Sequence, residues 1–386
     1  MKQEIMSFLY RCDDDIADLC KYLYENPESS YNELKCCKYI CSLRNKYEFK
    51  ITENYLNINN SFIAQKGTGH PKICYLCEYD AVEDLGHVTG HNLVTSMSVR
   101  AAIGLGNIID KIGGSVILIG CPGEYLGGTK ATLVRQGVFE DIDVVMVAHP
   151  YTDTCESGSS SAIIPLSVEF NSSVNGLSFL NKNAYNALDA LLLTFNILNS
   201  LRKGFPENTE LNSVLSNGGY TPLLIPSKTE ARFYIRSTKT QLAEEIDSKI
   251  REVVGYISNL TDISHSFSLY EPPNKELISN HTLNRLFSHN LKESGIIHIN
   301  GPRDVYAGLS IGDVSHVVPC IHPYISIIED KNIKYGTKEF SEATITPFAL
   351  QQCNSASLAL ISTAIDLIEN ANLLSEVKTE FFDSIK

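Results

Sequence analysis

The chain has 386 residues, 43% of them hydrophobic and 20% charged. That is an ordinary globular balance, which excludes a disordered chain and leaves room for two domains or one with an insertion. With 32 Lys+Arg against 45 Asp+Glu the net charge is −13, which argues against nucleic-acid partners and against adhesion to anionic membranes. No apolar run reaches the ~18 residues of a membrane helix. The N-terminus reaches Asp13-Asp14-Asp15 without a signal-like apolar core, and the eleven cysteines have no framework spacing. They read as reduced thiols in a cytoplasm.

The first forty-odd residues carry apolar positions at helical spacing (Leu9, Ile16, Leu19, Leu23, then Leu34, Cys37, Ile40, Cys41), broken near Pro27. Cys37 and Cys41 lie one turn apart and read as small apolar residues of a buried face. Ile73-Cys74-Tyr75-Leu76-Cys77 is a short buried strand. Alternation along it sends Cys74 and Cys77 to opposite faces, so the Cys-x-x-Cys spacing is neither a redox pair nor a metal pair. A helix over 91–111 follows, then a strand at Val116-Ile117-Leu118-Ile119, a short helix within 127–137, and a strand at Val144-Val145-Met146-Val147. Strands alternating with helices predict a mostly parallel sheet covered on both faces.

From about 163 the pattern changes. A half-buried strand (163–171), an amphipathic helix (Ala187–Leu201), strand-like stretches near 211–217 and 229–236, a helix over 240–257 and a strand near 264–270 follow. That order is the ferredoxin-like unit. The expected fold class is therefore α/β, with residues 1–162 and 272–386 as one discontinuous domain and an α+β domain inserted at 163–271. The last long helix is expected at 350–369.

In parallel sheets functional groups gather beyond the carboxyl ends of the strands. Three such ends carry polar residues: Glu78-Tyr79-Asp80, Cys121-Pro122-Gly123-Glu124 and His149-Pro150. Gly86-His87-Val88-Thr89-Gly90-His91-Asn92 leads into the helix between the first two. Asp80, His91, Glu124 and His149 are therefore expected to share one crevice. Taken singly, each has a plainer role as a turn, cap or loop residue, and His87 with His91 is a weak metal pair because Gly90 puts a loop there.

These stretches carry a resemblance. Cys77-Glu78-Tyr79-Asp80-Ala81, Gly86 to Asn92, Pro122-Gly123-Glu124-Tyr125 with Gly127-Gly128-Thr129-Lys130, and Val147-Ala148-His149-Pro150 are similar to successive signatures of the zinc-dependent aminoacylase and carboxypeptidase family, peptidase family M-20. Asn186-Ala187-Leu188-Asp189-Ala190, Ile225-Pro226, Tyr234-Ile235-Arg236, Gly312-Asp313-Val314-Ser315 and Thr337-Lys338-Glu339-Phe340 continue it in order, over about 75 to 345. The subgroup acts on N-acyl amino acids and small dipeptides. The resemblance implies a catalytic domain, a lid that makes a homodimer, a zinc or manganese centre, Glu124 as general base, Asp80 orienting a ligand, His91 and His149 as metal ligands, and Arg236 as a substrate contact.

The chain also departs from that pattern. Members of the subgroup hold two metals through a cysteine, a glutamate and three histidines; here the cysteine is Thr89, the glutamate Tyr125 and the late histidine Gly336. The region after Gly176 lacks the substrate-contacting histidine, and an asparagine expected near 223 is Leu223. Neutral hydroxyls are poor ligands, so the expected metal set is incomplete. Three readings follow: a homologue with lost or strongly altered hydrolysis that keeps the cleft for binding; a hydrolase on a remodelled one- or two-metal site, with Cys121, Cys155 or Glu156 as replacement ligands; and metal-free, non-hydrolytic chemistry using Glu124 and His149.

Overall fold

The computed structural model describes residues 2–180 and 184–385. They fall into two units: Met1–Ser159 with Leu277–Val305 and Ser310–Lys386, and Ser160–Glu276 with Tyr306–Leu309.

The first unit is built on a six-stranded sheet in the order Lys50–Glu53, Phe62–Thr68, Gly114–Gly120, Lys72–Cys77, Val144–Met146, Cys320–Ile321. The last four run parallel and the first two antiparallel. The parallel strands are buried along nearly their whole length, as strands covered on both faces must be, and their apolar runs follow from that. A smaller sheet joins Asn300–Val305, Cys155–Ser160, Tyr324–Ser326 and His149–Tyr151.

Against the large sheet lies the helix His91–Ile112, almost every residue of which is buried. Pro347–Glu369 packs on it where Gly104 lacks a side chain; a Cβ there would stand 2.4 Å from Ile361 Cδ1. The helix Asp13–Glu25 buries Ile16, Leu19, Cys20 and Leu23, and Asp13 pairs with Arg100 at 2.8 Å. All eleven cysteines are buried and unpaired.

The second unit runs strand Ala162–Asn171, helix Ala187–Leu201, strands Thr209–Asn217 and Lys228–Ser237, helix Thr240–Thr261 and strand Ser264–Leu269. Its sheet is antiparallel, with the last strand beside the first and Lys228–Ser237 between the first and Thr209–Asn217. This is the ferredoxin-like order expected from the sequence. Leu166, Val168, Phe170, Phe233 and Ile235 meet Leu191, Leu198, Ile246, Ile250 and Val254 in one core. The Asn186-to-Ala190 match proves to be a helix start. Asn186 accepts from the Leu188 and Asp189 amides, and Asp189 accepts from the Asn186 amide, a capping box.

Gly90 fixes how the chain enters the long helix. Its φ is +80°, and a Cβ would stand 2.4 Å from Pro150 Cγ. Gly90→Ala is expected to lower stability by about 1–3 kcal/mol, through left-handed strain and overpacking, measured by urea unfolding.

Candidate functional site

The four parallel strands deliver their carboxyl ends to one place in the first unit. Glu78 and Asp80 follow Lys72–Cys77, Glu124 follows Gly114–Gly120, His149 follows Val144–Met146, and His322 follows Cys320–Ile321. Backbone bonds hold the last two ends in step: the Val147 amide donates to Ile321 O at 3.2 Å and the His149 amide to Pro323 O at 2.9 Å.

His91 opens the long helix, and its Nδ1 lies 2.8 Å from Asp80 Oδ1 and 3.1 Å from Asp80 O. Both partners are acceptors, so Nδ1 carries a proton and Nε2 turns toward Glu78 Oε2, 3.6 Å away. His149 Nδ1 lies 2.9 Å from Pro150 O and must donate to it. One donor atom each of Glu78, His91 and His149 lies within 4.8 Å of the others, and all three residues are buried.

The environments drive the imidazoles apart. Burial alone would push His91 down, but hydrogen-bonded Asp80 and nearby Glu78 reverse this and raise it to about 9. Burial and neighbouring imidazoles push His149 down to about 3, and burial chiefly pushes His322 down to about 4. Asp80 is held below the usual carboxylate range: burial opposes this, but His91, the Tyr125 amide and Ser30 outweigh it.

Beside this cluster stands Lys130, fully buried. Its ammonium donates to Glu78 Oε1 at 2.6 Å, Glu124 Oε2 at 2.7 Å and Ser310 Oγ at 2.9 Å. Burial would strip its proton, but the two carboxylates raise it well above the ordinary lysine value. Ser310 Oγ also lies within 2.8 Å of both Glu124 oxygens.

The donor set does not fit the two-metal centre that the resemblance implies. The hydroxyls of Thr89 and Tyr125 hydrogen-bond to one another. Burial raises the Tyr125 phenol, so it stays neutral, and its ring stacks on His91 at 4.6 Å. Gly336 offers only its backbone, whose amide donates to Val88 O. A thiolate, a carboxylate and an imidazole are thereby replaced by two neutral hydroxyls and a glycine.

Asp80, His91, Glu124 and His149 thus meet at one group of strand ends. Arg236 belongs to the second unit, where it pairs with Glu210 at 2.8 Å. His87 turns away, with Nε2 at 3.0 Å from Leu23 O. The replacement ligands that the sequence suggests lie outside the cluster. Cys121 is buried, its thiol pushed up to about 12 by burial; Cys155 faces Asp153 O and Asn300; Glu156 accepts from Ser288. Glu78 joins the histidines instead. Sequence reasoning does not reach Lys130, Ser310 or His322. The signal for His322 is a second His-Pro pair after an apolar stretch, His322-Pro323 echoing His149-Pro150.

No family model matches the chain. It is, however, 32% identical over 324 residues to the Xaa-Arg dipeptidase of Mus musculus, covering 80% of this chain and 73% of that one. The chain belongs to the M20 family of peptidases and amidohydrolases. It is 27% identical over 289 residues to a p-aminobenzoyl-glutamate hydrolase of Escherichia coli, covering 67% of this chain and 60% of that one. In fold it is similar to the Bacillus subtilis YXEP protein, described as a dinuclear metal binding peptidase of the M20 family. That match has a TM-score of 0.65 and 16% identity over 91% of this chain and 98% of that one.

Glu33 supports the loop that carries Glu124. Its Oε1 accepts from the amides of Gly123 at 2.7 Å and Tyr31 at 2.9 Å, while its Oε2 is buried without a partner. Burial pushes its carboxyl up to about 7 from the ordinary 4.5. The folded state therefore holds a proton that the unfolded chain releases, and stability falls as pH rises from 4.5 through 7, by on the order of 3 kcal/mol. Glu33→Gln should flatten that fall, so its stabilising effect in urea unfolding should be larger at pH 8 than at pH 5.

Proposed function

We propose that the chain binds a small N-acyl amino acid or dipeptide in this crevice, and that two-metal amide hydrolysis is lost or strongly altered. The observation that carries this is the Thr89–Tyr125 hydroxyl pair, standing where a thiolate and a carboxylate would hold metal. A zinc ion lowers the pKa of bound water from about 15.7 to about 7. Without a metal hydroxide, a general base supplies only ~10²–10⁴ in rate, far short of amide hydrolysis. The contacts of Glu124 point the same way, since both of its oxygens are committed to Lys130 and Ser310.

The ligand class follows from the relatives, a dipeptidase and a hydrolase of an acylated glutamate by name. Arg236 is our candidate for its carboxylate, and zinc or manganese the metal expected of the family. The buried, unpaired cysteines support a reducing compartment, the cytoplasm. The expected result is background turnover of N-acyl amino acids and dipeptides with added zinc, manganese or cobalt, alongside saturable binding by calorimetry. Turnover that Glu124→Ala abolishes, with two equivalents of metal per chain, would overturn the reading.

We also propose a homodimer through the second unit. Its strand Thr209–Asn217 is an edge strand nine residues long and exposed along most of its length, with Val214 and Leu215 open to solvent. Such an edge invites pairing across a two-fold axis. Light scattering should give twice the 42.8 kDa chain mass; a monomer at high concentration counts against it.

A further inference from the structure

Three side chains of the first unit converge with one donor atom each, and each has its remaining polar atom tied down. Asp80 holds His91 Nδ1, Pro150 O holds His149 Nδ1, and the Lys130 ammonium holds Glu78 Oε1. That leaves Nε2, Nε2 and Oε2 as the free atoms of a group lying within 4.8 Å of one another. Metal-bound histidines are built in this way, with the second ring nitrogen donating to a carboxylate or a backbone carbonyl that fixes the tautomer. Two imidazoles and one carboxylate also make up the three protein ligands of an open zinc site.

The charges in contact agree with that number. Glu78, Asp80 and Glu124 contribute three negative charges and Lys130 one positive, so with neutral imidazoles the group carries about −2. One divalent cation balances this, whereas two would leave an excess of about +2 in a buried site. The Lys130 ammonium does not compete for the open position, because it occupies the far oxygen of Glu78 and is itself offset by Glu124. A further imidazole stands close by: the His322 ring centroid is 5.2 Å from that of His149, and its buried Nδ1 has no hydrogen-bond partner.

We propose that Glu78, His91 and His149 form a site for one divalent cation of zinc type, a mononuclear centre that recruits Glu78 in place of the missing thiolate and carboxylate. Two nitrogens and one oxygen select zinc or cobalt over magnesium or calcium, which take all-oxygen shells. The proposal does not depend on which organic ligand the crevice takes.

The full chain, stripped with a chelator and equilibrated with Zn(II) or Co(II) alone, should retain one equivalent by elemental analysis. The Co(II) form should show visible bands of a low-coordinate nitrogen and oxygen site, without thiolate charge transfer. Glu78→Gln and His149→Gln should each weaken binding at least about tenfold, and Asp80→Asn by about 10–100-fold. Cys121→Ser and Cys155→Ser should change nothing. If Glu78→Gln fails to fold because Lys130 is stranded, His149→Gln carries the test, with circular dichroism checking its fold. No bound ion, two ions, a thiolate band, or one ion bound equally by His149→Gln would overturn the proposal. No bound ion with saturable ligand binding ends this proposal and leaves the binding reading standing; two ions with amide turnover end both.

Discussion

A fully buried ammonium needs carboxylates, and Lys130 has two. Its grip on Glu78 and Glu124 ties the end of one parallel strand to the loop beyond another, and Ser310 ties in a third segment. Removing one member of such a group leaves a charge stranded in a dry interior, at a cost of about 3–5 kcal/mol. The group also sets the orientation of Glu78, and through Glu78 the geometry offered to His91 and His149. The character of the crevice therefore rests on a lysine whose hydrogen bonds go to two carboxylates and a serine rather than to either histidine.

The replaced positions make physical sense as a set. A thiolate and a carboxylate are repelled by one another unless cations lie between them, so losing the cations favours losing the anions. Thr89 and Tyr125 satisfy each other without charge. Glu78 remains ionised because burial, which would neutralise it, is outweighed by Lys130 and the neighbouring histidines. What survives is a site of lower charge demand in an otherwise family-like frame.

Much of this is legible in the sequence. The parallel strands are visible as short apolar runs because both faces are covered, and the second unit is visible as an ordered set of amphipathic elements. The strand-end rule places Asp80, His91, Glu124 and His149 together without any side-chain geometry. The strands Lys50–Glu53 and Phe62–Thr68 escape a reading of this kind: the first is largely exposed and the second only half-buried, so neither has a continuous apolar run. Glu78 is visible at a strand end, but its role is not, because that role depends on Lys130, 52 residues away. His322 lies still farther along the chain, beyond the whole inserted unit, and only the pairing of Cys320–Ile321 with Val144–Met146 brings it home.

That same chain path orders assembly in time. The second unit draws its sheet and both its helices from Ser160–Glu276, so its core is complete before the first unit has its last strand. The first unit must wait for Cys320–Ile321 to close its sheet edge and for Pro347–Glu369 to cover the helix His91–Ile112. As a ribosome releases the chain, the middle can fold while the beginning is still open, an inversion of the usual N-terminus-first sequence. The long separations between partner strands make that closure slow. In the interval the apolar strands around Tyr75 and Ile117 lack their cover, and they are the segments a chaperone would have most reason to hold.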